Sequence, residues 1–182
     1  RVAPSLARPV GMITDALWVD YDGDRRVDLV TTGEWMPIEF HRNVGGRLTP
    51  ATAAAGLPPS RGWWYSLAAG DFDGDGRTDL VAGNLGLNHS YRTSPDSPFR
   101  IYAGDFTGSQ TTDVVLAQTV AGKPYPIGAL GTLGRAIYTL GVKFPTAGSF
   151  AEAPIAQMLG AGELQRAVRY EADTFASMLL RN

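Results

Sequence analysis

A nine-residue pattern built on aspartate constrains the fold of this chain more than any other feature. It occurs twice nearly intact and a third time in part. The copies are Asp20-Tyr-Asp22-Gly-Asp24-Arg-Arg-Val-Asp28, Asp71-Phe-Asp73-Gly-Asp75-Gly-Arg-Thr-Asp79 and Asp105-Phe-Thr107-Gly-Ser109-Gln-Thr-Thr-Asp113. Each has an aromatic residue second and glycine fourth. A short apolar stretch precedes each copy (16–19, 67–70 and 101–104), and a β-type run follows it (29–32, 80–82 and 114–116). The repeating unit is therefore strand, acidic loop, strand.

The charge pattern says what these loops need. Of the 18 acids, 13 are aspartates, and 10 of those lie in the three loops against only Arg25, Arg26 and Arg77. An acidic surface serving solubility would mix in glutamate and spread out. Short carboxylates at positions 1, 3, 5 and 9 of a tight loop converge on one point, where they repel unless a cation neutralises them. Ca²⁺ takes six to eight oxygens at about 2.3–2.6 Å and suits this supply better than Mg²⁺, which demands rigid octahedral geometry. The expected ligands are Asp20, Asp22, Asp24, the Arg26 carbonyl and Asp28 in the first loop. In the second they are Asp71, Asp73, Asp75, the Arg77 carbonyl and Asp79. The competing reading is an Asp-rich turn whose carboxylates cap backbone amides. The third loop replaces two carboxylates by Thr107 and Ser109 and keeps Asp105 and Asp113, so it offers a weaker site. Arg25 stands where the second loop has Gly76, which predicts backbone strain. An EF-hand is excluded: position 12 is Thr31 or Ala82 rather than glutamate, and the flanks read as strands.

The pattern D-aromatic-D-G-D-x-x-x-D between strands resembles the VCBS/FG-GAP repeats of calcium-binding β-propellers, seen also in integrin α-subunits. The run from Phe40 through Asn43, Gly45, Gly46, Leu48 and Thr49, followed by Ala54-Ala55-Gly56-Leu57, is similar to a connector of bacterial propellers related to cartilage acidic protein, often paired with an ASPIC/UnbV domain. Residues 62–71 and 83–88 look typical of the same group. The resemblance implies a location outside the cytoplasm or in the cell envelope, calcium held for structure, and binding to other macromolecules.

The expected fold is mainly β: an open, partial β-propeller of about three blades. Residues 1–127 would form propeller blades, 128–166 a helical insertion and 167–182 a returning propeller strand. Loop spacing is uneven, 51 residues and then 34. Three units cannot close a ring that typically has four to eight blades, so the remaining blades would come from a parent chain. Arg1 is not an initiator methionine and no signal-peptide pattern follows it, so the chain reads as a piece of a longer polypeptide. In the insertion, Leu130, Leu133, Ile137 and Leu140 fall at helical spacing, and Ser149 to Glu152 reads as a capping box.

Composition narrows the functions. No cysteine is present, which excludes disulfides and thiolate chemistry, and the net charge of −2 argues against nucleic acid. No apolar run is long enough for a transmembrane segment. No nucleophile elbow, Walker or dinucleotide motif occurs. His41 and His89 lack metal-ligand spacing, and nothing fixes Glu34 and Glu39 as an acid/base pair. Trp63, Trp64 and His89 form the candidate ligand surface, because three adjacent aromatics (63–65) cannot all face one core. The expected role is a non-catalytic, calcium-stabilised extracellular module that binds a protein or glycan. The alternative is an accessory or catalytic propeller domain of a polysaccharide-degrading enzyme.

Overall fold

The structure is a computed structural model that describes residues 3–7 and 11–182. It divides into two compact units, Arg1–Ser90 with Ala172–Asn182, and Tyr91–Glu171.

In the first unit, β1 (Met12–Val19), β2 (Asp28–Met36), β3 (Glu39–Val44) and β4 (Arg47–Pro50) form an antiparallel meander. This is the form of a propeller blade. β5 (Gly62–Gly70) and β6 (Asp79–Asn84) begin a second meander. Its third strand is β11 (Met178–Leu180), which pairs with β6 through Met178↔Ala82 and Leu180↔Leu80. β2 joins the two meanders: Leu29–Thr31 ladder with β3, while Glu34 and Met36 ladder with β5. In both meanders an acidic loop connects the first two strands.

β2 is buried along nearly its whole length, as expected of a strand covered on both faces. Val30 and the cross-strand Phe40 pack with Trp64, Leu80 and Ala82 in one core. Trp64 is fully buried, and its indole N–H donates to the Ser60 carbonyl at 2.8 Å. Two polar clamps hold the segment after Glu171 that leads into β11. The Arg61 guanidinium grips the buried Asp173 carboxylate at 2.7 and 2.8 Å. The Asn84 amide donates to the carbonyls of Thr174 and Ala176 and accepts from the Trp63 amide.

In the second unit, β7 (Phe99–Gly104), β8 (Asp113–Val120), β9 (Lys123–Pro126) and β10 (Val168–Ala172) form a sheet in the order β10-β7-β8-β9. Residues 167–182 thus hold two strands, and they join different sheets. Five short helices follow β9: α1 (Leu130–Ala136), α2 (Thr139–Lys143), α3 (Ala147–Ala151), α4 (Ile155–Leu159) and α5 (Ala161–Arg166). Ile137, Leu140, Phe144, Phe150, Ile155 and Met158 pack with Tyr102, Val115 and Ala117 of the sheet. The capping box lies three residues earlier than the Ser149–Glu152 pattern. Thr146 is the N-cap and exchanges hydrogen bonds with Ser149 at N3. The Thr146 hydroxyl already satisfies the Ser149 amide, so Ser149 sits inside the helix it was expected to begin.

Candidate metal sites

The three acidic loops share one backbone, and their aspartates divide the work. The first aspartate organises the turn. Asp20 accepts from the amides of Gly23 and Arg25 at 2.9 and 2.8 Å. Asp71 accepts from Gly74, Asp75 and Gly76. Asp105 accepts from Ser109 and Gln110 at 3.0 and 2.8 Å. The sixth residue is left-handed in all three loops, with φ of 64° at Arg25, 83° at Gly76 and 64° at Gln110. The strain expected at Arg25 is therefore present, and Gln110 carries the same strain.

The ninth aspartate closes the loop onto the sheet. Asp79 is buried and accepts from the Phe72 amide at 3.1 Å, and Asp113 accepts from the equivalent Phe106 amide at 3.0 Å. Asp28 is fully buried, and its Oδ1 accepts from the Asn43 amide at 2.7 Å. Its Oδ2 is buried without a full hydrogen bond, and the Tyr21 amide, the counterpart of Phe72 and Phe106, acts on the carboxylate only weakly. Burial pushes the Asp28 carboxyl above its ordinary pKa. The Asn43 and Tyr21 amides pull against that shift, and the charges of Asp22 and Asp24 add to it.

The carboxylates at positions 3 and 5 each cap the amide two residues ahead through one oxygen, Asp22 to Asp24 and Asp24 to Arg26 in the first loop and Asp73 to Asp75 and Asp75 to Arg77 in the second, and leave their second oxygen for other partners. Asp20, Asp22 and Asp24 each bring a carboxylate oxygen within 4.8 Å of one another, as do Asp71, Asp73 and Asp79. Asp28 and Asp75 stand outside these two groups. Asp75 is turned toward Arg77, whose guanidinium holds its carboxyl below the usual range. Arg42 on β3 reaches Asp22 and Asp24 at 2.7 and 3.0 Å, and Arg26 also binds Asp24. Burial raises the Asp24 pKa, but these arginine hydrogen bonds outweigh it and leave the carboxyl below its ordinary value. Arg181, just past β11, binds Asp73. Sequence spacing gives no sign of Arg42 or Arg181, which reach the loops only through strand pairing.

The third loop keeps the turn and replaces the charge. Thr107 donates to Ser109 at 2.8 Å, and the Ser109 and Thr111 hydroxyls share a hydrogen bond of 2.6 Å. A chain of neutral hydroxyls stands where the other loops place carboxylates.

The three ligand-surface candidates have different surroundings. Trp64 is fully buried in the core and offers no surface. Tyr65 is the exposed member of the aromatic run, since the chain bulges there. Trp63 is half-buried against Trp35, with ring centroids 4.9 Å apart. His89 hydrogen-bonds the Gly86 carbonyl at 2.8 Å and meets Phe175 edge-on. His41 is buried with neither ring nitrogen hydrogen-bonded, and the Glu39 carboxylate lies 3.7 Å away.

Residues 20–82, which include both complete loops, match the family of FG-GAP-like repeats. No curated protein and no solved structure matches the chain. Among the described residues, no helix is long and apolar enough to cross a membrane.

Proposed function

We propose that this chain is a calcium-stabilised β-propeller repeat module, non-catalytic and exported to the cell envelope or beyond, that binds a protein or glycan. The observation that carries this reading is the convergence of carboxylate oxygens in both complete loops, Asp20, Asp22 and Asp24 in one and Asp71, Asp73 and Asp79 in the other, each set within 4.8 Å of one another. A hard divalent cation in the first loop relieves the repulsion among these carboxylates and balances the charge of the buried Asp28 that Asp22 and Asp24 oppose. The second loop offers the same donor chemistry through Asp71, Asp73 and Asp79. The hydroxyl-closed third loop needs no cation.

A site binding ten- to hundredfold tighter than ambient calcium stabilises the fold by about 1.4–2.7 kcal/mol. Thermal melts with calcium or with EDTA test the reading. EDTA should lower the Tm, and Asp22→Ala and Asp73→Ala should each lose part of the calcium-dependent increment. A melt indifferent to EDTA would refute the proposal.

A further inference from the structure

Three neighbouring strands of the first unit bulge at one place. In the ladder, Met12 of β1 lies opposite Glu34 of β2, and Glu34 lies opposite Trp63 of β5. Beside this row each strand carries one extra residue: Thr14 in β1, Trp35 in β2 and Tyr65 in β5. Bulges concentrate next to functional sites, where they re-aim side chains. Trp35 is left-handed, with φ of 61°, an unusual state for a bulky aromatic. Such strain persists only where surrounding structure enforces it, and it clusters at ligand sites.

Three of the groups at this corner, on Glu34, Trp63 and Tyr65, have no hydrogen-bond partner among the described residues. Glu34 is half-buried and has no hydrogen bond or ion pair among the described residues. The Trp63 indole N–H is buried without an acceptor. Tyr65 is 46% exposed, and its hydroxyl likewise has no hydrogen bond among the described residues. The Tyr65 pKa is raised by burial and then by the Glu34 charge, which puts the carboxylate within electrostatic reach of the phenol.

We propose that this corner is a carbohydrate-binding site, with Glu34 accepting hydrogen bonds from sugar hydroxyls and Tyr65 stacking on a sugar ring. A cation would satisfy Glu34 but offers no acceptor to the Tyr65 hydroxyl. A sugar donates to the carboxylate, accepts from the phenol and lays its C–H face on the ring. The inference rests on the binding role proposed above, and it does not require the cations.

The test is calorimetric titration with neutral gluco-, manno- and xylo-oligosaccharides, in calcium and in EDTA. Wild type, Glu34→Gln and Tyr65→Ala are compared, with Tyr138→Ala, an exposed aromatic of the second unit, as control. At least one oligosaccharide should bind. Tyr65→Ala should weaken it about fivefold through lost stacking, and Glu34→Gln about fivefold through loss of a charge-assisted bond. Tyr138→Ala should leave the affinity unchanged. Circular dichroism confirms that each variant is folded. The proposal is overturned by no binding, by equal binding to all four proteins, or by butylamine binding in a Glu34-dependent way while every sugar is refused. The EDTA melt and this titration can fail separately, so a wrong ligand class is distinguishable from wrong cation sites.

Discussion

Replacing Asp28 by asparagine should change stability in opposite directions with and without calcium. The carboxyl is fully buried, with Oδ1 on the Asn43 amide and Oδ2 short of a full hydrogen bond. Burial, followed by the charges of Asp22 and Asp24, raises its folded pKa above the unfolded value. A raised acid favours folding below its unfolded pKa of about 3.9, and that contribution is lost as pH climbs through the folded pKa. In EDTA, the wild type should therefore lose stability as pH rises from about 4, and Asp28→Asn should flatten that slope. At neutral pH, removing the buried charge returns about 1–3 kcal/mol, less about 1 kcal/mol for a weaker bond to Asn43 and for amide N–H groups placed where Oδ2 was. The net gain of about 1 kcal/mol corresponds to a Tm about 2–4 °C higher for a chain of this size. In saturating calcium the same variant loses a charge that favours the cation. Tenfold weaker binding costs about 1.4 kcal/mol, which lowers the Tm by about 3–6 °C. Calorimetric melts from pH 4 to about 8, in EDTA and in calcium, measure both arms. A change of the same sign in both buffers would refute the reasoning.

Three further substitutions probe the loops and the clamp. Arg25→Gly removes a side chain from left-handed backbone and should stabilise by about 1 kcal/mol in chemical denaturation. The double change Thr107→Asp with Ser109→Asp supplies the third loop with the charge it lacks. It should add one calcium equivalent by calorimetry relative to wild type, at the cost of lower stability in EDTA. Arg61→Met leaves the buried Asp173 carboxylate without its bidentate partner. That should cost about 3–5 kcal/mol and lower the Tm by about 10 °C in a thermal melt.

The loops were legible because their chemistry is local. Asp20 and Asp71 reach amides only three to five residues ahead, so spacing alone determines the turn. The third loop shows which positions shape the backbone: Asp105 and Asp113 persist and cap amides, while Thr107 and Ser109 occupy the positions that elsewhere carry the added charge. Strand pairing was much less legible. Nothing near Asn84 announces that the partner of β6 waits until Met178, because that pairing depends on clamps from Arg61 and Asn84 to distant carbonyls and a distant carboxylate. The aromatic run at 63–65 required one residue to be exposed, but alternation could not choose which. The bulge at Tyr65 chose it. Arg42 and Arg181 stayed hidden for the same reason, since their contacts to aspartates are long-range.

The interrupted second meander has a consequence for biosynthesis. When Asn84 leaves the ribosome, the outer edge of β6 has no strand to pair with until Met178 is made. At about 5–20 residues per second, that edge stays open for roughly 5–20 s. Leu80 and Ala82 lie on it and end fully sequestered in the finished protein. During that interval a nascent chain is exposed to strand exchange with its neighbours, so its yield should depend on translation speed and on holdase chaperones far more than its final stability suggests.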